Sequence, residues 1–305
     1  QVWAGSVACQ GAVTAFDPRG IMRACFRPVP VTSMSRILNI AAYRFVAVDD
    51  APAVRARLAR EAEARGLKGT VLVAPEGINV FLAGLEVDVR GFLAWLHADA
   101  RFSGMAAKES WSDAVPFARL KVKLKREIIA FRRDGIDPVA APAPFVDPPT
   151  LKRWLDVGHD DHGRPVVLLD TRNREEVEYG TFAGAVTLPI NDFVQLPEAL
   201  EDQRERLADA TVVSFCTGGI RCEKAAPLLR DLGFGDVRQL DGGILGYFEA
   251  VGGAHWQGAC FVFDERVALG PDLRPTRATA QRGANTTSME PDTTVAGADT
   301  FRCVG

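Results

Sequence analysis

One segment of the chain concentrates the residue types that do covalent chemistry. Phe215 closes the apolar run Thr211-Val212-Val213-Ser214-Phe215, and Cys216-Thr217-Gly218-Gly219-Ile220-Arg221 follows at once, leading into Cys222-Glu223-Lys224-Ala225. A buried strand, a tight glycine loop and a helix start make an anion cradle, with backbone N–H groups turned inward and the positive end of the helix behind them. A cysteine at the mouth of such a cradle is expected to be a thiolate at neutral pH. Arg221 adds a permanent positive charge. Four residues separate Cys216 from Arg221. A loop that short encloses room for one extra sulfur atom rather than for a tetrahedral phosphate. The plainer alternative is a buried cysteine acting as a small core hydrophobe ahead of a glycine turn.

The remaining cysteines are scattered. Cys222 follows the loop directly and either resolves a disulfide or persulfide on Cys216 or, as is commoner, points away on a helix face. Cys260 beside Phe261-Val262-Phe263 reads as a packed strand residue. Cys9, Cys25 and Cys303 read as bystanders near the chain ends. This is no dense disulfide framework, and it predicts a reducing, cytoplasmic setting. No apolar run approaches the ~20 residues of a membrane span, and no signal-peptide pattern is present, so neither a membrane nor a secretory role is expected.

The elements that must position the loop follow from pattern. Length predicts two domains, at roughly 150 residues each. Hydrophobic residues at 47% and charged residues at 25% exclude a wholly disordered chain or a fibre. The net charge of −3 excludes a strongly basic coat protein but hides an asymmetry. Residues 36–140 carry 17 basic against 13 acidic side chains, and residues 141–266 carry 12 against 21. Strand patterns at 37–48, 71–74, 78–83 and within 117–131, with helical patterns at 52–65 and 87–98, predict an α+β ferredoxin-like domain over 36–136. Residues 137–149 hold five prolines and read as a semi-rigid linker. Beyond it, strands at 166–170, 185–189, 211–215 and 236–240 alternate with helices at 174–179, 197–208 and 221–232. This predicts an α/β domain with a parallel sheet over 150–266. Pro227 is expected to shorten or bend its helix. Residues 267–305, poor in large apolar side chains, read as a disordered tail. Residues 1–35 read as a disordered or non-native extension, with Met34 as the natural start.

Several pieces, in order, resemble known sequences. Protein tyrosine phosphatases separate the loop cysteine and arginine by five residues; the Cys-x-x-Gly-x-Arg spacing here resembles rhodanese (sulfurtransferase) loops instead. Asp170-Thr171-Arg172 with Glu175 or Glu176, then Tyr179, Gly184-Ala185 and Pro189, resembles the early rhodanese signature, with Asp170 and Arg172 in supporting positions. Leu240-Asp241-Gly242-Gly243 resembles its closing turn. The likeness extends across about residues 37–267. Glu76-Gly77-Ile78-Asn79, Leu120-Lys121-Val122-Lys123, Glu127-Ile128-Ile129, the loop 216–225 and Phe261-Val262-Phe263-Asp264-Glu265-Arg266 resemble the rhodanese-containing tRNA uridine hydroxylases. The resemblance implies oxygen-dependent 5-hydroxylation of the wobble uridine in the anticodon arm of tRNA. It implies molecular oxygen as co-substrate and Cys216 as the catalytic residue. No flavin, haem or iron motif is evident. Many members of that family end in a cysteine-rich, metal-site-like tail. Here the tail is Thr-rich with only Cys303, so no four-ligand zinc site is expected.

The residues lend separate support to an RNA partner. Arg119, Lys121, Lys123 and Lys125 alternate with Leu120, Val122 and Leu124, which on a strand puts the cations on one face at a pitch suited to phosphates. A solvated face that blocks edge pairing explains the same pattern. Glu76 and Asn79 either line a site or simply follow a turn. Two other activities fit the loop alone. One is a persulfide-forming sulfurtransferase, taking sulfur from thiosulfate or passing it to a sulfur-carrier protein. The other is an idle rhodanese module that only binds a partner.

Overall fold

A computed structural model describes residues 36–207 and 209–276. The expectations for residues 1–35 and for the tail past residue 276, and with them Cys9, Cys25, Met34 and Cys303, lie outside the described residues.

The first domain runs β1 (Ile37–Phe45), α1 (Ala51–Ala64), β2 (Lys68–Ala74), β3 (Gly77–Leu85), α2 (Glu86–His97), β4 (Ala107–Ser112) and β5 (Leu120–Leu124). Its sheet has the order β4-β1-β3-β2-β5. β1 pairs antiparallel with β3 and β4, β2 antiparallel with β3, and β5 lies parallel to β2. This is the expected βαββαβ sandwich with one further edge strand. The last strand of that order is β4, whose sequence Ala-Lys-Glu-Ser-Trp-Ser carries no apolar alternation and buries only Ser110, and the added edge strand is β5, which lies outside β2. Both helices cover one face of the sheet. α1 turns Val54, Leu58 and Ala62 inward and α2 turns Val89, Phe92, Leu93 and Leu96, the spacing of a single helical stripe. They pack on Leu38, Ile40, Val71, Val73, Val80 and Leu82. Strand side chains alternate, so Asn39, Ala41, Tyr43, Asn79 and Phe81 occupy the opposite, helix-free face.

The second domain runs β6 (Phe145–Val146), α3 (Pro148–Val157), β7 (Val166–Asp170), α4 (Arg174–Val177), β8 (Gly180–Phe182), a single 3-10 turn (Phe193–Gln195), α5 (Leu196–Glu201), α6 (Arg204–Leu207), β9 (Thr211–Phe215), α7 (Ile220–Asp231), β10 (Asp236–Leu240), α8 (Gly243–Val251), β11 (Trp256–Gly258), β12 (Cys260–Phe261) and β13 (Ala268–Leu269). Its main sheet, β6-β10-β9-β7, is parallel throughout. β9 lies inside it and is buried at every residue. One face packs on α5 and α7 through Leu196, Leu200, Ala225 and Leu229, the other on α3 and α8 through Leu151, Trp154, Ile244 and Tyr247. Coverage on both faces is why its strands read as continuous apolar runs.

Four expectations are corrected. The proline-rich segment is not a free spacer: Val146 pairs with Leu240 in the sheet, and Asp147, Pro148 and Pro149 start α3, with Asp147 Oδ1 accepting from Thr150 N at 3.0 Å. Proline suits a first helical turn because its missing N–H has no partner to lose there. Residues 185–189 form no strand beyond an isolated bridge from Val186 to Leu169, and β8 lies just upstream instead. Pro227 does not shorten α7, which runs on to Asp231. The tail is ordered at its start, where β13 pairs with β12 and buries Ala268 and Leu269. Among the described residues, no helix is long and apolar enough to cross a membrane.

Buried polar contacts join the domains. Lys224, on α7, reaches Glu76 at 2.9 Å, Glu127 at 2.7 Å and the carbonyl of Ile129 at 3.1 Å. Glu76 also accepts from Ile128 N at 2.7 Å, so the turn residue weighed as a site residue holds the domains together instead. Phe131 stacks on Phe193 with ring centroids 4.8 Å apart. Lys224→Met leaves two carboxylates without their cation. Both keep about a quarter of their side-chain exposure (25% and 23%), which sets the cost near the low end for a broken buried pair, about 3 kcal/mol. Urea denaturation checks this; an unchanged midpoint would show that the clamp adds nothing.

Candidate active site

The loop from Cys216 to Arg221 sits at the carboxyl end of β9, the edge at which parallel sheets present ligands. Cys216 is 1% exposed. Its sulfur accepts the Gly219 N–H at 3.1 Å. The Arg221 N–H also donates to it, and so does the Cys222 thiol. Burial alone would push the Cys216 thiol up. The bond from Cys222, the Arg221 charge and the two backbone donors outweigh burial and lower it to about 6. Cys222 goes the other way: burial first, and then the neighbouring Cys216 sulfur, keep it a thiol. Both shifts run in the direction that the expected thiolate requires. Cys222 is not the outward-facing helix residue that its position suggests. It is fully buried, with its sulfur 3.7 Å from Thr171 Oγ1.

Two other elements shape the loop. The first N–H groups of α8 hold its carbonyls: Ile244 N donates to Cys216 O at 3.0 Å and Leu245 N to Thr217 O at 3.1 Å. Gly243 makes that approach possible. It has φ +61°, and a Cβ there would lie 2.5 Å from Cys216 O and 2.8 Å from Gly219 N. On the other side, Glu176 of α4 pairs with Arg221 at 2.8 and 2.9 Å and accepts from Thr217 Oγ1 at 3.4 Å. Of the two glutamates weighed in the sequence, Glu176 is therefore the one at the loop. Asp170 and Arg172 form a fully buried pair at 2.6 Å, with Arg172 also donating to Gly180 O and Asp170 accepting from Thr181. They brace the strand ends and do not line the cleft. Cys260 is buried, and its thiol is pushed up to about 12 by burial, as suits an inert packed residue.

Cys216, Thr217, Gly218, Ile220 and Arg221 open onto a cleft between the two domains. Asn39, Asn79 and Phe81 from the helix-free face of the first sheet form its opposite wall. Tyr43 leans over the loop, close enough that a Cβ on Gly219 would lie 3.0 Å from its hydroxyl, and donates to Glu223 at 3.2 Å. The segment around Phe263 closes one side. Arg266 pairs with Asp264 and donates to Ser110 Oγ of the first domain at 2.7 Å, and the Phe263 ring lies 5.9 Å from the Arg221 guanidinium.

Comparison with known proteins gives this arrangement a family. Residues 37–128 match the model described as the UPF0176 acylphosphatase like domain, and residues 149–250 match the rhodanese-like domain. A tRNA uridine(34) hydroxylase of Xanthomonas campestris is 61% identical over 78% of this chain and 94% of its own length. One of Variovorax paradoxus is 59% identical over 82% of this chain and 95% of its own. Among solved structures, the human single-domain sulfurtransferase is 31% identical over 35% of this chain and 97% of its own, with a TM-score of 0.29.

The chain belongs to the tRNA uridine(34) hydroxylase family.

Family membership gives the lysine stripe its context. Lys121 and Lys123 lie on β5 and are exposed, with Val122 buried between them on the helix-covered face. Strand register carries Lys121 across Thr70, Phe81 and Ala41 to Lys108, and Lys123 across Leu72 and Asn79 to Tyr43. These lysines therefore share the face that walls the cleft. Arg119 is exposed just before the strand and Lys125 is half-buried just after it. The alternation is imperfect, because Leu124 is 50% exposed. Sequence reasoning missed Tyr43, Lys108, Phe263 and Lys224 as neighbours of the loop. Tyr43 and Lys108 carry no local motif and come there by strand register and by the facing of the two domains, whereas Phe263 and Lys224 lie in quoted motif pieces whose place beside the loop the sequence does not reveal.

The rate of Cys216 alkylation tracks its thiolate fraction, so it rises with pH through a midpoint near 6 rather than near the ordinary thiol value. Cys222→Ala removes one donor and moves that midpoint upward. Iodoacetamide labelling of the peptide that carries Cys216, followed against pH, measures both.

Proposed function

We propose that this protein hydroxylates C5 of the wobble uridine of tRNA, with Cys216 as covalent nucleophile and dioxygen as the oxygen source. The observation that carries the reading is a buried thiolate at the floor of a cleft whose opposite wall leads onto a row of lysines. A wobble base stands in a single-stranded loop, so turning it out into a pocket costs little. Phe81, Phe117 and Phe263 line the cleft and offer ring faces to it, and Asn39 and Asn79 offer amides. Lys108, Lys121 and Lys123 on the same face hold the phosphates of the anticodon arm.

Thiolate addition to C6 of uracil forms a C–S bond and breaks the C5–C6 double bond, leaving electron density on C5. That carbon then attacks dioxygen, and loss of the C5 proton with expulsion of Cys216 restores the ring as a C5 hydroperoxide. Two electrons from a thiol reductant, with two protons, split its O–O bond to C5–OH and water. The enzyme works in the reducing cytoplasm beside its tRNA substrate. A sulfurtransferase would use the same thiolate, but it has no use for the first domain's wall and lysine row.

Nucleoside mass spectrometry of tRNA from cells lacking the protein, and lacking any second enzyme for the same base, should show no 5-hydroxyuridine. Wild type restores it and Cys216→Ser does not. Unchanged 5-hydroxyuridine in those cells would falsify the proposal. The double change Lys121→Glu with Lys123→Glu weakens tRNA binding and flattens its salt dependence, by about 0.7 in log–log slope for each phosphate of single-stranded RNA that no longer meets a cation. Cys216 alkylation stays as in wild type, since neither lysine touches the loop. A binding isotherm series in rising salt reads the slope, and an unaltered slope takes the lysines out of the interface.

A further inference from the structure

The proposed hydroxylation leaves an electron count open. Dioxygen takes up four electrons when one oxygen enters C5–OH and the other becomes water. The C5–H carbon supplies two of these, and the other two need a donor.

Cys222 is a second sulfur that the nucleophilic step does not use. It is the third residue of α7, and its N–H donates to Gly219 O at 3.0 Å while Gly219 N donates to Cys216 Sγ at 3.1 Å. The loop thus folds the first turn of the helix back under the end of β9. Thr171 Oγ1 fixes the depth: it donates to Phe215 O at 3.0 Å and contacts Cys222 Sγ at 3.7 Å. Both cysteines are buried, and the Cys222 thiol hydrogen-bonds the Cys216 sulfur. A packed helix-face cysteine would need none of these polar partners. A thiol beside a thiolate is the arrangement of a dithiol donor.

We infer that Cys216 and Cys222 together are the two-electron reductant of the hydroxylation and end each turnover as a disulfide. The inference rests on the hydroxylase reading above. In the net step the O–O bond breaks and the S–S bond forms. One oxygen atom replaces the bond from C5 to hydrogen with C5–O–H, and the other leaves as water with the Cys222 proton and the proton that Cys216 has already released to solvent. One uridine, one dioxygen and two thiols give one 5-hydroxyuridine, one water and one disulfide. An external dithiol, small or protein-borne, then reopens the disulfide by exchange.

Trypsin supplies the readout, because Arg221 lies between the two cysteines. Cleavage separates peptide 207–221, which holds Cys216, from peptide 222–224, which holds Cys222, unless a disulfide joins them. The full chain is reduced, freed of reductant without air, then mixed with excess unmodified tRNA in aerated buffer and quenched with N-ethylmaleimide. The expected result is a burst of one 5-hydroxyuridine per protein, the linked peptides appearing at the same rate, and further turnovers only when dithiol is added. Cys222→Ala loses the burst. A full burst with both peptides capped and unlinked overturns the inference and leaves the hydroxylase reading standing, as does a full burst from Cys222→Ala. Absence of 5-hydroxyuridine from wild type in excess dithiol overturns the hydroxylase reading and this inference with it. The wild-type mapping decides even if the variant fails to fold.

Discussion

A thiolate with 1% of its surface exposed has almost no water to stabilise it, so fixed groups must meet its charge. The Gly219 N–H does so only because Gly219 adopts φ +100°, which turns the donor inward. The Arg221 N–H comes from the start of α7. The Arg221 guanidinium acts from where Glu176 holds it, and Glu176 is itself fixed by a capping box with Asn173 at the start of α4. The carbonyls of Cys216 and Thr217 would face the charge unfavourably, but α8 draws them away. The loop, Glu176 and the start of α8 therefore each answer one need of the same buried sulfur.

α7 carries this constraint into the first domain. Its first turn donates to Cys216. Two positions further on, Glu223 accepts from Tyr43 and from Gln239, and Lys224 reaches Glu76 and Glu127. Burial pushes the Glu223 carboxyl up, with the Tyr43 and Gln239 hydrogen bonds acting against that rise. Any shift of the first domain moves these partners and so moves the helix start that stabilises the thiolate. The wall of the cleft and its floor are parts of one polar framework rather than two surfaces that happen to face each other.

Much of this was legible in the sequence because it is local. A continuous apolar run followed by Cys216-Thr217-Gly218-Gly219-Ile220-Arg221 specifies strand, loop and helix within a few residues, and the structure keeps that order. The ferredoxin-like pattern survives for the same reason, since Val54, Leu58 and Ala62 announce a helical stripe by spacing alone. What escaped is non-local. β4 is held by pairing with β1 and not by its own apolar pattern. Tyr43 and Lys108 are ordinary strand residues until register sets them on the cleft face. Cys222 was open to either direction from sequence, because which side of a helix meets a loop depends on how the loop turns, here on Gly219. The prolines of residues 137–149 misled because proline marks both a spacer and a helix start, and Asp147 decides between them by capping α3.

The charge asymmetry gains a physical meaning from this geometry. The second domain is acidic, and an acidic surface repels a phosphate backbone over a Debye length of about 8 Å at physiological ionic strength. RNA approaching that domain alone would be turned away from Cys216. The first domain carries the opposite sign: Lys108 on one edge strand and Lys121 and Lys123 on the other share the sheet face that forms the cleft wall. A single rhodanese-like domain offers its loop to any small anion. Roofed by the first domain's sheet and flanked by Phe263 and Arg266, the same loop opens onto a cleft whose wall carries Lys108. The field thus favours a nucleic-acid substrate before any base contact is made.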